Sequence, residues 1–170
     1  MAVREILQLG NPVLYDKSME VNDSLDDSIE ELITDLRDTL VDFQGRRDFG
    51  RGIAAPQIGV LQRVIYVRMP SGFDGAMINP EVVWADDRRV DIWDSCFSFP
   101  DLMVLVSRAA EIRVEYTDEL GRRKTIDAEG DLSELLQHEI DHLDGVLAVQ
   151  RALTPQAFAT RQEWERSQKL

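Results

Sequence analysis

Apolar residues recur at helical spacing over residues 25–43. Leu25, Ile29, Leu32, Ile33, Leu36 and Leu40 share a face, and Asp26, Glu30, Glu31 and Asp38 fall between them. This predicts an amphipathic helix packed on a core, with Ser24 as its N-cap and Gly45 as its stop. The period then changes. Residues 63–68, Arg-Val-Ile-Tyr-Val-Arg, are short and β-branched and are followed by Pro70 and Gly72, which predicts a strand. Residues 77–84 read the same way, with Pro80 marking an edge or a bend. Ile112, Val114 and Tyr116 alternate with Glu111, Arg113 and Glu115, a strand with one wet face. Asp118-Glu119-Leu120-Gly121 reads as a hairpin turn and 123–128 as its return strand. A second helix is predicted over 132–143, with Leu132, Leu135, Leu136, Ile140 and Leu143 as its buried stripe and Gly145 as its close. A third begins at Thr154-Pro155 and runs to near the C-terminus. Strands followed by helices, without regular alternation, predict an α+β fold.

No repeat, low-complexity segment or linker divides the 170 residues, so a single domain over 1–170 is expected. The net charge of -13 opposes general binding to DNA or to an anionic membrane, because long-range repulsion acts against both. Residues 1–6, Met-Ala-Val-Arg-Glu-Ile, lack the apolar stretch of a signal peptide, and no run approaches the roughly 18–20 apolar residues of a membrane span. The lone cysteine, Cys96, rules out an internal disulfide. A cytoplasmic location is the expectation.

The chemistry concentrates at His138-Glu139-Ile140-Asp141-His142, an H-E-x-x-H pattern. Residues four apart on a helix lie one above the other, so both imidazoles can reach one metal ion, with Glu139 beside them to take a proton from a water that the metal acidifies. The chain has only these two histidines. A catalytic metal usually takes three protein ligands and keeps one position open. Cys96 is the candidate for the third, since a thiolate suits zinc or ferrous iron, although a lone cysteine also serves as a small buried apolar residue. Asp141 reads either as a hydrogen-bond partner of a ligating histidine or as a helix-end hydrogen bonder. The stretch Gly50-Arg51-Gly52-Ile53-Ala54-Ala55-Pro56-Gln57 permits tight turns and close approach to a ligand, yet matches neither a dinucleotide fingerprint nor a phosphate loop.

These stretches, in this order and over nearly the whole chain, resemble the peptide deformylase family. The family's G-x-G-x-A-A-P-Q stands at 50–57, its Q-H-E-x-D-H at 137–142, and its E-G-C-L-S is represented by Asp94-Ser95-Cys96-Phe97-Ser98. The resemblance implies antiparallel or mixed sheets around a central helix carrying H-E-x-x-H, with N- and C-terminal helices. It implies one divalent metal held by Cys96, His138 and His142: ferrous iron natively, with zinc, nickel or cobalt as alternatives. Glu139 would act as general base and then acid. The Gln57 side-chain amide and the Phe97 backbone N–H would hold the oxyanion. Gly52 would pair with an extended substrate as an added strand. The partner would be an N-formylated peptide or nascent chain. Residues 160–170 mix both charge signs, so any ribosome contact would be transient rather than a strong docking through a basic tail.

The departures fall around the expected substrate pocket. Arg51 stands where a small or aliphatic residue would line a methionine pocket, and Met103 where many members carry an arginine. Phe97 is expected to narrow the cleft. Glu134, one turn before His138, reads as a pocket residue or, with Asp131 as N-cap, as half of a capping box. An unpaired Arg51 would not tolerate desolvation there, so it must face solvent, pair with an acid such as Glu134, or meet a polar substrate. Four readings compete: a housekeeping deformylase of nascent chains, a hydrolase of another N-formyl or related N-acyl substrate, a metal-binding protein without turnover, and an endopeptidase.

Overall fold

The computed structural model describes residues 3–47, 49–70 and 72–169; Met1, Ala2 and Leu170, which entered the reading of the two termini, lie outside them. Two antiparallel sheets and three helices make the α+β architecture. The larger sheet contains β1 (Gly52–Ala54), β2 (Val64–Arg68), β3 (Asp74–Ala85), β6 (Glu111–Thr117) and β7 (Arg123–Glu129), in the order β1-β2-β3-β6-β7. The smaller contains β4 (Arg89–Cys96), β5 (Phe99–Ala109) and β8 (Phe158–Thr160), in the order β4-β5-β8.

Strand period explains how the larger sheet carries a helix on each face. Val64 and Tyr66 point to one side, where they join Ile29, Leu32, Leu36 and Leu40 of α1 (Asp27–Arg47). Ile65 and Val67 point to the other, where they join Leu135, Leu136, Ile140 and Leu143 of α2 (Gly130–Leu143). The neighbouring strand obeys the same rule, with Ala76 and Ile78 beneath α1 and Met77 beneath α2. A third cluster, around Leu14, Cys96, Phe99, Val104, Val106 and Leu147, backs the small sheet. The helix that carries H-E-x-x-H is therefore clamped at its apolar stripe by the large sheet.

Several boundaries differ from expectation. α1 starts at Asp27, after Asp26 rather than Ser24: the Asp26 carboxylate accepts the Ser28 N–H at 2.9 Å, and Leu25 is left 65% exposed. It also runs through Gly45 to Arg47, since a glycine inside a helix costs only about 1 kcal/mol when neighbouring turns are packed. No helix starts at Thr154-Pro155. The Thr154 hydroxyl and carbonyl instead close a turn with the N–H groups of Gln156 and Ala157, the chain extends as β8 beside β5, and α3 (Arg161–Ser167) begins only after Thr160, whose hydroxyl caps the Glu163 N–H at 3.2 Å. The β4–β5 hairpin has no expected counterpart. Its Cys96 pairs with Phe99 across the tight turn Phe97-Ser98. Pro80 does mark a bend: register shifts between Ile78 and Glu81, beside Asn79 at φ 50°, whose amide is tied to both backbone groups of Val21.

Gly145 closes α2 at φ 71°, and a Cβ there would stand 2.4 Å from the Tyr15 carbonyl oxygen. Backbone cannot step aside as a side-chain tip can. Gly145→Ala is expected to destabilise the protein by about 2–4 kcal/mol, from left-handed strain plus overpacking, read as a lower urea midpoint at unchanged slope.

Candidate functional site

The turn between β4 and β5 brings Cys96 against the face of α2 that carries the histidines. Cys96 Sγ lies 3.2 Å from His142 Nε2, which lies 3.2 Å from His138 Nε2. All three ligand atoms fall within 4.8 Å of one another, and all three residues are buried. A divalent ion fits this set: one sulfur and two ring nitrogens converge, in a combination that suits borderline and softer first-row metals.

His138 is aimed by its other ring nitrogen. Nδ1 sits 2.9 Å from Asp94 Oδ2, an arrangement that turns Nε2 toward the ligand cluster. Burial opposes a charge on His138, but the Asp94 carboxylate outweighs it and raises the imidazole well above its ordinary value when no metal is bound. Burial likewise opposes the Asp94 charge, yet His138 and Arg108 together hold that carboxyl down at about 2. His142 has no such partner for Nδ1 among the described residues, and its burial, with His138 beside it, pushes it well below the usual imidazole range. An imidazole kept neutral is the form that binds metal.

Asp94 entered the sequence reading only as a departure from a family glutamate, and its role as the histidine's partner has no signature in a linear motif. Arg108 belongs to no motif in the sequence. It is 3% exposed and donates to Asp94 at 3.0 Å and to Asp141 at 2.5 Å. Asp141 in turn accepts both Arg151 donors at 2.6 Å. Asp141 is thus bound to arginines and touches neither histidine directly among the described contacts.

Glu139 is 2% exposed, and its Oε2 has no hydrogen-bond partner among the described residues. Burial pushes its carboxyl up to about 7 in the metal-free site. Gly52 explains the closeness of β1 to this group: a Cβ there would stand 2.6 Å from Glu139 Oε1. Gly50 makes room in the same way for the Phe97 ring, which a Cβ would meet at 2.2 Å. That ring stacks on Phe43 at 3.8 Å and is only 4% exposed, so most of its bulk is taken up by the α1 core. Gln57 is held with its carbonyl oxygen accepting the Ala54 N–H at 2.9 Å, which turns its amide nitrogen to Cys96 Sγ at 3.4 Å and Ser98 Oγ at 3.3 Å.

A cleft of about 360 Å³ opens onto these groups, lined by Gly52, Gln57, Cys96, His138 and Glu139 and, farther out, by Arg51, Ile92, Trp93, Glu134 and Leu135. Arg51 does not stand alone: it donates to Glu134 and lies 3.2 Å from Asp131. The capping box does not form, because Glu129 is the N-cap and Asp131 lies inside the first turn, with both acids drawn to the guanidinium. Met103 is not among the lining residues; it is 3% exposed on β5, paired across to Ser95 and Ala159. Among the described residues, no helix is long and apolar enough to cross a membrane.

Comparison with known proteins agrees with this arrangement. The family model described as polypeptide deformylase matches residues 3–157. A peptide deformylase from Natranaerobius thermophilus is 38% identical over 152 residues, covering 89% of this chain and 94% of the relative. One from Brachyspira hyodysenteriae is 35% identical, covering 88% and 80%. The crystal structure of peptide deformylase from Thermotoga maritima superposes with a TM-score of 0.83 at 30% identity, covering 91% of this chain and 100% of that one. The Ehrlichia chaffeensis enzyme, solved in complex with actinonin, gives 0.83 at 29% identity, covering 99% and 95%. The family match over most of its length, the relatives above 30% identity and the shared fold together show that the chain belongs to the polypeptide deformylase family.

Proposed function

We propose that this enzyme removes the formyl group from the N-terminal formyl-methionine of new polypeptides, releasing formate and the free amine, with Glu139 as the proton carrier. The observation that carries the reading is the buried Glu139 carboxyl group, whose Oε2 has no partner among the described residues, in a cleft also lined by Cys96 and His138, with His142 converging behind them. Cys96, His138 and His142 would hold a divalent cation, which would supply Lewis acidity to the site.

The protein's own residues do the rest. Glu139 takes the proton that water gives up as its oxygen bonds to the formyl carbon. It returns that proton to the nitrogen as the C–N bond breaks. An elevated carboxyl suits both roles: burial holds it at about 7, where it can both accept and return a proton near neutral pH. The Gln57 amide nitrogen, oriented by the Ala54 N–H at its carbonyl oxygen, stands beside Cys96 in the cleft, which supports a role as oxyanion donor together with the Phe97 N–H of the adjoining turn. β1 is the outer strand of its sheet, so the backbone at Gly52 can take an extended peptide as a further strand. The thiolate and imidazole set suits several first-row ions, and family resemblance favours ferrous iron as the native one. A cytoplasmic location, with transient contact at the ribosome, accords with a nascent-chain substrate.

Formate release from formyl-methionine peptides by anaerobically iron-loaded protein tests the assignment. Glu139→Gln is expected to cut kcat by about 10²–10⁴-fold while metal content by mass spectrometry stays unchanged. Loss of metal along with activity would instead make Glu139 a structural support. Metal affinity carries a second expectation, with its sign set by His138. Asp94 keeps a proton on that imidazole in the metal-free site, so lowering the pH strengthens the proton against the metal. Affinity measured by competitive chelation should fall as pH falls, and Asp94→Asn should flatten that dependence.

A further inference from the structure

We propose that Arg51 and Glu134 set the side-chain specificity of this site, replacing a preference for methionine with acceptance of first side chains that donate hydrogen bonds, an amide or an ammonium. The inference rests on the deformylase reading above. The cleft is lined by Glu139, Cys96 and His138 and also by Arg51, just before β1, and Glu134, in the first turns of α2, which form a charged wall. Gly52 adjoins Arg51 and lies against Glu139, so Arg51 and Glu134 bound the cleft beside a formyl amine poised at Glu139 and are placed to meet its side chain.

The wall is charged and partly wet. Arg51 donates to Glu134 and lies 3.2 Å from Asp131, and the Arg51 and Glu134 side chains keep 33% and 21% of their exposure. Pressing a thioether against them strips water from charged groups and returns no hydrogen bond. A donor-bearing side chain replaces that water with a contact to the Glu134 carboxylate, which lines the cleft, while Asp131 adds its charge through the Arg51 guanidinium. One guanidinium faces two carboxylates, so the cluster has surplus negative charge. That favours a donor and repels a carboxylate. Ile92 and Leu135 on the same cleft still give an aliphatic stem an apolar surface, and formyl-methionine is accepted without the advantage that an apolar pocket confers.

The test compares kcat/KM for formyl tripeptides that differ only in the first residue: methionine, glutamine, lysine or glutamate. The native enzyme is expected to turn over the glutamine and lysine peptides at least as efficiently as the methionine peptide, and the glutamate peptide at least ~10-fold less efficiently. The Arg51→Leu/Glu134→Leu variant is expected to move the methionine-to-glutamine ratio toward methionine by ~10–100-fold. Glu134→Gln keeps the shape, removes the surplus charge, and should narrow the gap between glutamine and glutamate even where the double variant folds poorly. Calorimetric binding of the deformylated tripeptides gives the same ranking without turnover. A native preference for methionine of ~10-fold or more, unmoved by these variants, would overturn the inference and leave the deformylase reading intact. No formate from any peptide, with metal bound, would overturn both.

Discussion

Two imidazoles, a thiol and a carboxylate lie buried side by side, and that burial costs free energy which the rest of the fold must offset. α2 meets the cost by splitting its two faces. Leu135, Leu136, Ile140 and Leu143 press into the large sheet, while His138, Glu139 and His142 meet the cysteine turn and β1. The apolar face holds the helix where its polar face would otherwise be expelled. A metal ion adds to the balance by replacing lost hydration with ligand bonds, so metal binding and native stability are linked.

A chain of charge extends behind the ligand cluster. His138 leans on Asp94, Asp94 on Arg108, Arg108 on Asp141, and Asp141 on Arg151. Alternation of sign makes each buried group the counter-charge of the next, the arrangement in which buried ions are tolerable. It ties β4 and β5 to α2 through side chains. The strand bearing Cys96 and the helix bearing the histidines are thereby fixed to each other, and a site made of both needs that.

The two glycines of the 50–52 stretch have separate steric duties. Gly50 yields space to the Phe97 ring and Gly52 to Glu139. The residue between them is free of both constraints and looks into the cleft, so it is the position at which this fold can alter its wall without disturbing its chemistry. Here that position is Arg51, and the acids of the first turns of α2 answer it.

Local sequence determined a good part of this. The period of α1 and α2, the β2 strand, the 111–129 hairpin and the bend at Pro80 follow from patterns within a few residues, and the order of the three motifs was enough to indicate the family. The H-E-x-x-H spacing fixes one face of one helix, so His138, Glu139 and His142 were legible together. Tertiary structure decided the rest, because partners distant in the chain are chosen by packing. Asp94 became the support of His138 only when β4 folded against α2. Arg108 was invisible until its two carboxylates surrounded it. Asp131 and Glu134 look like a capping box in isolation, yet α2 begins at Gly130 after Glu129, so both acids lie inside the helix and pair with a guanidinium on another segment. Thr154-Pro155 has a helix-starting pattern, but the strand pairing of Phe158–Thr160 with β5 satisfies that backbone instead.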